Sequence, residues 1–248
     1  MPRKRPLIAI LNESTLITDD EIAPIVAAAQ RAVDENFEPA WGATARLRQI
    51  PSGESPPAKA WWIGFFDDSD VANALGYHDV TDEDLPLGKA FVRTVQHYGA
   101  SLSVDFTHEL FEMLADPYVM LDVQIDNKGT RFAHEVCDAV EADELGYDVD
   151  GVLISDFVTP EWFAPHFDGP YDLKEHTSKA LQLLPGGYIG VWTPEKGWSQ
   201  RFGKDDGGVT DELADQPSRI WPRLGSRRQR RGRRPKRSDP QNHPTTNP

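Results

Sequence analysis

The order of apolar segments before residue 108 constrains the fold of this chain more than any other feature of its sequence. Residues 7–11 form an apolar, partly β-branched run that ends at Asn12, which predicts a buried first strand. A helix is predicted next, because Thr18 and the acidic residues after it form a capping signal. Apolar residues then recur at the spacing of one helical face: Ile22, Ile25, Val26, Ala29 and Val33.

Three more strands are predicted before residue 93. Alternation over residues 43–50 indicates a strand with one solvated face, and residues 60–66 are apolar enough for the centre of a sheet. Residues 70–93 are predicted to be a loop that leads into a fourth strand at the sheet edge. A hairpin is expected near residues 188–202. The predicted class is α+β, with a mixed sheet, an N-terminal helix and a loop-rich C-terminal part.

The segment from His108 to Pro117 carries the clearest chemical signal. A helix over about residues 107–116 is predicted, with Thr107 as its N-cap and Pro117 after its end. On this helix His108 and Glu112 would face the same way from consecutive turns and could bind a divalent metal, while Glu109 activates a water molecule. A glutamate as the second ligand weakens the preference for Zn²⁺ over Mn²⁺ or Fe²⁺. An ordinary amphipathic helix with polar residues at this spacing is the alternative.

A third ligand is expected from residues 131–141. If this segment is helical, Glu135 and Asp138 lie on one face, so that one can bind the ion while the other orients a histidine ligand. We predict Glu135 as the ligand and Asp138 as the orienting residue. The solvated face of an acidic helix would have the same pattern.

These motifs resemble those of a known family. The pattern H-E-x-x-E-x-x-x-D-P, followed by E-x-x-D, resembles zincin-like proteins of bacteria and phages and, more distantly, the phosphate-induced, exordium-like proteins. The resemblance spans roughly residues 6–205 and implies a zincin-like fold and a metal-dependent peptidase that acts on a peptide or protein substrate. The order of predicted elements before the metal-bearing helix also matches that of zincins, in which the edge strand borders the cleft. The chain departs from better-known zincins by lacking their second and third histidines.

Aromatic and acidic residues after the ligand region are candidates for a wall of the substrate site. These are Tyr147, Asp156 and Trp162, and Tyr147 could donate a hydrogen bond to an oxyanion. Packing in the aromatic core is the alternative for such residues. No organic cofactor is predicted. The rival to an enzyme is a non-catalytic protein of the same fold, in which the metal or a hydrogen-bond network holds the helix in place.

Charge divides the chain into two parts. Residues 223–248 hold nine Lys or Arg and one acid, so their net charge is +8, and the rest of the chain carries −22 of the total of −14. We therefore predict one domain over residues 1–222 and a disordered basic tail over residues 223–248. An acidic domain repels nucleic acid, so such a contact is expected only through residues 223–237.

We expect neither a signal for export nor a membrane span. The apolar run at residues 7–11 is too short for a signal peptide, and no run approaches the length of a membrane span. The single cysteine, Cys137, excludes an intramolecular disulfide. We expect a cytoplasmic or phage-associated protein with no membrane partner.

Overall fold

The computed structural model describes residues 5–70 and 74–213, and these form a mixed α+β structure. The predicted tail, residues 223–248, and the end of the predicted domain lie outside the described residues. None of the helices in the described part of the chain has both the length and the apolar character that a membrane crossing needs.

A five-stranded sheet is built from the first half of the chain. Its strands are β1 (Leu7–Asn12), β2 (Arg46–Gln49), β3 (Trp61–Phe66), β4 (Gly76–Val80) and β5 (Pro86–Phe91), in the order β2-β1-β3-β5-β4. The first four in that order are parallel, whereas β4 pairs with β5 in antiparallel fashion. The predictions for residues 7–11, 43–50 and 60–66 are confirmed. The prediction for residues 70–93 is wrong in part, because the segment holds two strands and its first strand, not its last, lies at the edge.

Helix α1 (Asp19–Ala32) begins at the predicted capping signal. The Thr18 hydroxyl accepts a hydrogen bond from the Glu21 amide, and the Glu21 carboxylate accepts one from the Thr18 amide. The apolar face of the helix is buried, as expected from its spacing. A π-helical turn and the short helix α2 (Glu38–Trp41) extend it to Gly42, whose φ of 64° ends the helix in the left-handed conformation.

Helix α3 (Val92–Tyr98) was not predicted, and helix α4 (Leu102–Ala115) begins earlier than predicted. The N-cap of α4 is Ser101, whose hydroxyl accepts a hydrogen bond from the Val104 amide, so the assignment of Thr107 as N-cap is wrong. Thr107 lies inside the helix and donates its hydroxyl hydrogen to the carbonyl of Ser103. The helix ends at Ala115, one residue before the predicted end, and Asp116 is its C-cap ahead of Pro117. Residues 103–114 of α4 are all buried, which makes it the central element of the molecule.

The second half of the chain is loop-rich, as expected. A second sheet has the order β12-β11-β10-β7-β6, and a small hairpin pairs two further strands. The strands are β6 (Asp122–Gln124), β7 (Arg131–Ala133), β8 (Tyr147–Val149), β9 (Val152–Ile154), β10 (Tyr188–Thr193), β11 (Gly197–Gly203) and β12 (Val209–Leu213). Strands β10 and β11 form the predicted hairpin.

Residues 131–141, which were considered as a possible helix, do not form one. The segment consists of β7, an irregular stretch with a bend at residues 136–137, and one 3-10 turn at Asp138–Val140. Its backbone groups bind partners that are distant in sequence, since the His134 amide donates to the Leu121 carbonyl and the Val158 amide donates to the Val136 carbonyl. These contacts replace the local hydrogen bonds that a helix would need.

One hydrophobic cluster joins elements from both halves of the chain. At its centre the ring of Phe37 stacks on Phe111 of α4, with centroids 4.9 Å apart, and meets the edge of Phe157 at 5.0 Å. All three rings are fully buried. This triad fixes α4 between the N-terminal helix and the loop-rich part.

The substitution Phe37→Ala is expected to destabilise the protein by about 3–5 kcal/mol, because it leaves a cavity beside α4. Chemical denaturation measures this loss as a lower midpoint at an unchanged slope. Leu16→Ala, at a residue that is 37% exposed, is the control and should change stability little. Equal effects of both substitutions would contradict the central position of Phe37.

Candidate metal centre

Helix α4 places several ionisable side chains in the interior. Three of them, His108, Glu109 and Glu112, lie one, three or four residues apart on the helix and are at most 3% exposed. Strand β4 and the segment after β7 add further groups beside them. The resulting carboxylate–histidine cluster is defined by six buried residues: His78, His108, Glu109, Glu112, Glu135 and Asp138.

Glu112 lies between the two histidines of the cluster. Its Oε1 is 3.2 Å from Nε2 of His108, and its Oε2 is 3.5 Å from Nδ1 of His78. The amide of Cys137 also donates to Oε1, at 3.3 Å. Burial by itself raises the pKa of Glu112, but the two histidines lower it well below its usual value. Glu112 is therefore held as a carboxylate.

His108 contacts a second acid besides Glu112. Its Nε2 lies 3.2 Å from Oδ1 of Asp138, which begins the 3-10 turn after β7. Glu141, at the end of the same turn and partly exposed, offers a further oxygen, so that ligand atoms of His108, Asp138 and Glu141 lie within 4.8 Å of one another. The turn thus brings two carboxylates to the first histidine of the motif.

His78 of strand β4 is the member of the cluster that the sequence prediction missed. Its Nδ1 is 3.5 Å from Oε2 of Glu109, and its Nε2 is 3.8 Å from Oε2 of Glu135. Burial lowers the pKa of His78, but Glu135, Glu109 and Glu112 together raise it well above its usual value. Alternate residues of a strand face the same side, and in β4 Gly76 and His78 are buried on the side of α4. The sequence analysis missed His78 because it predicted this part of residues 70–93 as a loop, in which no alternation is expected.

The five residues predicted as catalytic, ligating or orienting all lie in the cluster. Asp138 is next to His108, whereas Glu135 approaches His78. The three candidates for a substrate wall have the surroundings of core residues. Trp162 is fully buried against Phe132 and Phe163, and its indole N–H donates to the carbonyl of Gln182. Tyr147 and Asp156 are buried as well.

The charges of the cluster define what it can bind. Four carboxylates are buried together, and the two histidines beside them can supply at most two positive charges. Each buried acid needs a positive charge, a hydrogen bond or a proton to offset the cost of its burial, and a cation would supply this to several of them at once. Nitrogen and oxygen donors at these spacings are suitable ligands for a divalent metal. The cluster can therefore hold a metal ion.

Comparison with known proteins gives no relative for this chain. No family model, curated protein or solved structure matches it. The chemistry of the centre is therefore inferred from its own residues.

A second group of buried acids, Asp156 and Asp172, lies outside the carboxylate–histidine cluster. The carboxyl group of Asp156 has its pKa raised to about 8 by burial and by the neighbouring Asp172. Burial also raises the pKa of Asp172, but hydrogen bonds from Thr177 and His176 outweigh it and lower the pKa below the usual value. Nε2 of His176 is 3.9 Å from Oδ2 of Asp156, and the Tyr147 hydroxyl is a further titratable neighbour. Asp156 is thus protonated at neutral pH, whereas Asp172 is ionised.

The contribution of Asp156 to stability should fall as the pH rises from about 4 to about 8, because Asp156 keeps its proton in the folded chain and loses it in the unfolded chain. Asp156→Asn keeps a neutral side chain at all pH values, so the decline should be smaller in this variant. Chemical denaturation over that pH range measures the difference, with the exposed Asp168→Asn as control. If the free energy of unfolding of the wild type and of Asp156→Asn changed with pH in parallel, the raised pKa of Asp156 would be ruled out.

Proposed function

We propose that the protein is a metal-dependent hydrolase of zincin type, most specifically a peptidase. The observation that carries the proposal is the burial of four carboxylates around two histidine side chains, with His108 and Glu112 contacting each other from consecutive turns of α4. Such a cluster is stable when a divalent cation balances its charge.

The proposed ligands are His108, Glu112 and Asp138. Nε2 of His108 lies 3.2 Å from an oxygen of each acid, which is close to the separation of neighbouring ligands around an ion bound at about 2.1 Å. This choice exchanges the predicted roles of Glu135 and Asp138. Zn²⁺ suits the histidine, and the two carboxylates make Mn²⁺ and Fe²⁺ further candidates.

Glu109 is proposed as the general base. It follows His108 on α4 and is fully buried within the cluster, where Oε2 lies 3.5 Å from His78. A bound divalent metal would lower the pKa of a water molecule and polarise the substrate carbonyl. The Glu109 carboxylate would take the proton of the attacking water and then give it to the leaving amine.

The arrangement of strands supports a peptide as the substrate. The elements from β1 to the edge strand β4 follow the order that the resemblance to zincins implies, although β5 and α3 come between β4 and α4 in the chain. Strand β4 lies beside α4. A strand at a sheet edge can pair with an extended peptide through its free backbone groups. Since this is an analogy of fold, it supports the proposal only together with the cluster.

A non-catalytic role is the second candidate. The contacts of Glu112 join β4, α4 and the segment after β7, so the same cluster could serve to hold three elements together. The surface of such a protein would bind a partner in a larger assembly, and its metal would be structural.

Metal content tests the centre directly. Protein purified without chelator or nickel should contain divalent metal by elemental mass spectrometry, and His108→Ala should lose the ion that His108 binds. His166→Ala, at an exposed histidine, is the matched control and should retain it. A wild type that contains no metal and takes up none when Zn²⁺ or Mn²⁺ is added would refute the proposal.

Glu109→Gln separates the two candidate functions. In a peptidase the variant should lose at least about a hundredfold of its activity, since general base catalysis contributes that much, while the ion at His108 stays bound. Hydrolysis of a fluorogenic peptide library measures the activity, and thermal unfolding checks the fold. An active wild type whose rate is unchanged in Glu109→Gln would show that Glu109 is not the base.

A further inference from the structure

We propose that the carboxylate–histidine cluster binds two divalent cations, bridged by the carboxylate of Glu112. This inference rests on the proposed function for the first ion, at His108, and adds a second ion held by His78, Glu109 and Glu112. The second site would be supplied jointly by the edge strand β4 and by α4.

The geometry around Glu112 divides the cluster into two halves. His108 approaches Oε1 at 3.2 Å and His78 approaches Oε2 at 3.5 Å, so the two histidines face different oxygens of one carboxylate. A carboxylate in this position can bind one ion through each oxygen.

Each half has its own additional acid. On one side Oδ1 of Asp138 is 3.2 Å from Nε2 of His108, and on the other side Oε2 of Glu109 is 3.5 Å from Nδ1 of His78. Ligand atoms of His78, Glu109 and Glu112 lie within 4.8 Å of one another, as do those of His108, Asp138 and Glu141. Ions bound at about 2.0–2.2 Å fit between donors at these separations.

Glu135 lies beside the second ring nitrogen of His78. Its Oε2 is 3.8 Å from Nε2 of His78, the ring nitrogen that does not face Glu109 and Glu112. A histidine that binds metal through one nitrogen commonly gives the hydrogen of the other nitrogen to a carboxylate, which fixes its tautomer. At 3.8 Å the two groups are in ion-pair range but farther apart than a hydrogen bond. Glu135 would act as a positioning residue for His78 when the ion binds at Nδ1.

The charge of the cluster favours a second ion. Histidines that bind metal are neutral, and the cluster holds four buried acidic side chains. Two divalent ions carry the positive charge that would balance these four groups in their ionised form. Glu141 adds a charge at the partly exposed rim, where water can solvate it.

Two ions in this arrangement would deepen the proposed chemistry. Paired metal sites in hydrolases, about 3.5–4 Å apart, stabilise the attacking and the leaving atoms of a reaction together. Glu109 would then bind an ion through Oε2, and Oε1 would remain for proton transfer. His78 becomes a residue on which hydrolysis depends.

Titration with Mn²⁺ tests the second site. The full-length protein is stripped with a chelator and titrated while electron paramagnetic resonance measures free Mn²⁺. We expect two tightly bound ions per chain in the wild type and one in each of His78→Gln, His108→Gln and Glu109→Gln, with two in His166→Ala. Low-temperature spectra of the fully loaded wild type should show an exchange-coupled pair, a result that needs no variant to fold.

The other outcomes separate this inference from the proposed function. One tightly bound ion that survives His78→Gln but not His108→Gln would overturn the second site and leave the metallohydrolase proposal intact. One ion lost in both variants would mean a single shared site, which also overturns the inference. Two uncoupled ions that His78→Gln leaves in place would be bound elsewhere on the acidic surface. Absence of tightly bound ions would overturn both proposals.

Discussion

The burial of Glu112 between two histidines is the interaction on which the rest of the structure depends. A carboxylate in the interior of a protein must be neutralised by partners that reach it from several directions. Glu112 meets His108 on its own helix, His78 on the edge strand and the Cys137 amide after β7. The two halves of the molecule therefore meet at this side chain, and α4 cannot shift without loss of the contacts of Glu112 to His78 and to the Cys137 amide.

The irregular backbone after β7 follows from the same requirement. A helix over residues 131–141 would satisfy its own amides, whereas the observed chain leaves the Cys137 amide to donate to Glu112 and turns Asp138 toward His108. The hydrogen bonds lost from a helix are replaced by contacts with other segments, such as that between the amide of Val158 and the carbonyl of Val136. Regular structure is given up here because the buried charges need partners.

Local signals in the sequence predicted local structure well. The cap at Thr18 and the apolar spacing after it gave α1, and the apolar runs gave β1 and β3, because each pattern is complete within a few residues. The start of α4 was missed because Thr107 is a plausible cap by residue type, and only the contacts of Ser101 distinguish the two. His78 could not be linked to α4, since its partners are about thirty residues away and its strand is short.

The glutamate at position 112, where the usual metallopeptidase motif has a second histidine, is consistent with this geometry. A neutral imidazole at that position would offer a lone pair on only one of its nitrogens and no charge. The carboxylate offers two oxygens and a negative charge, and in the structure each oxygen faces a different histidine. The glutamate at position 112 is therefore matched to the histidine on the edge strand. Only a side chain that accepts on two sides can contact histidines on both α4 and β4.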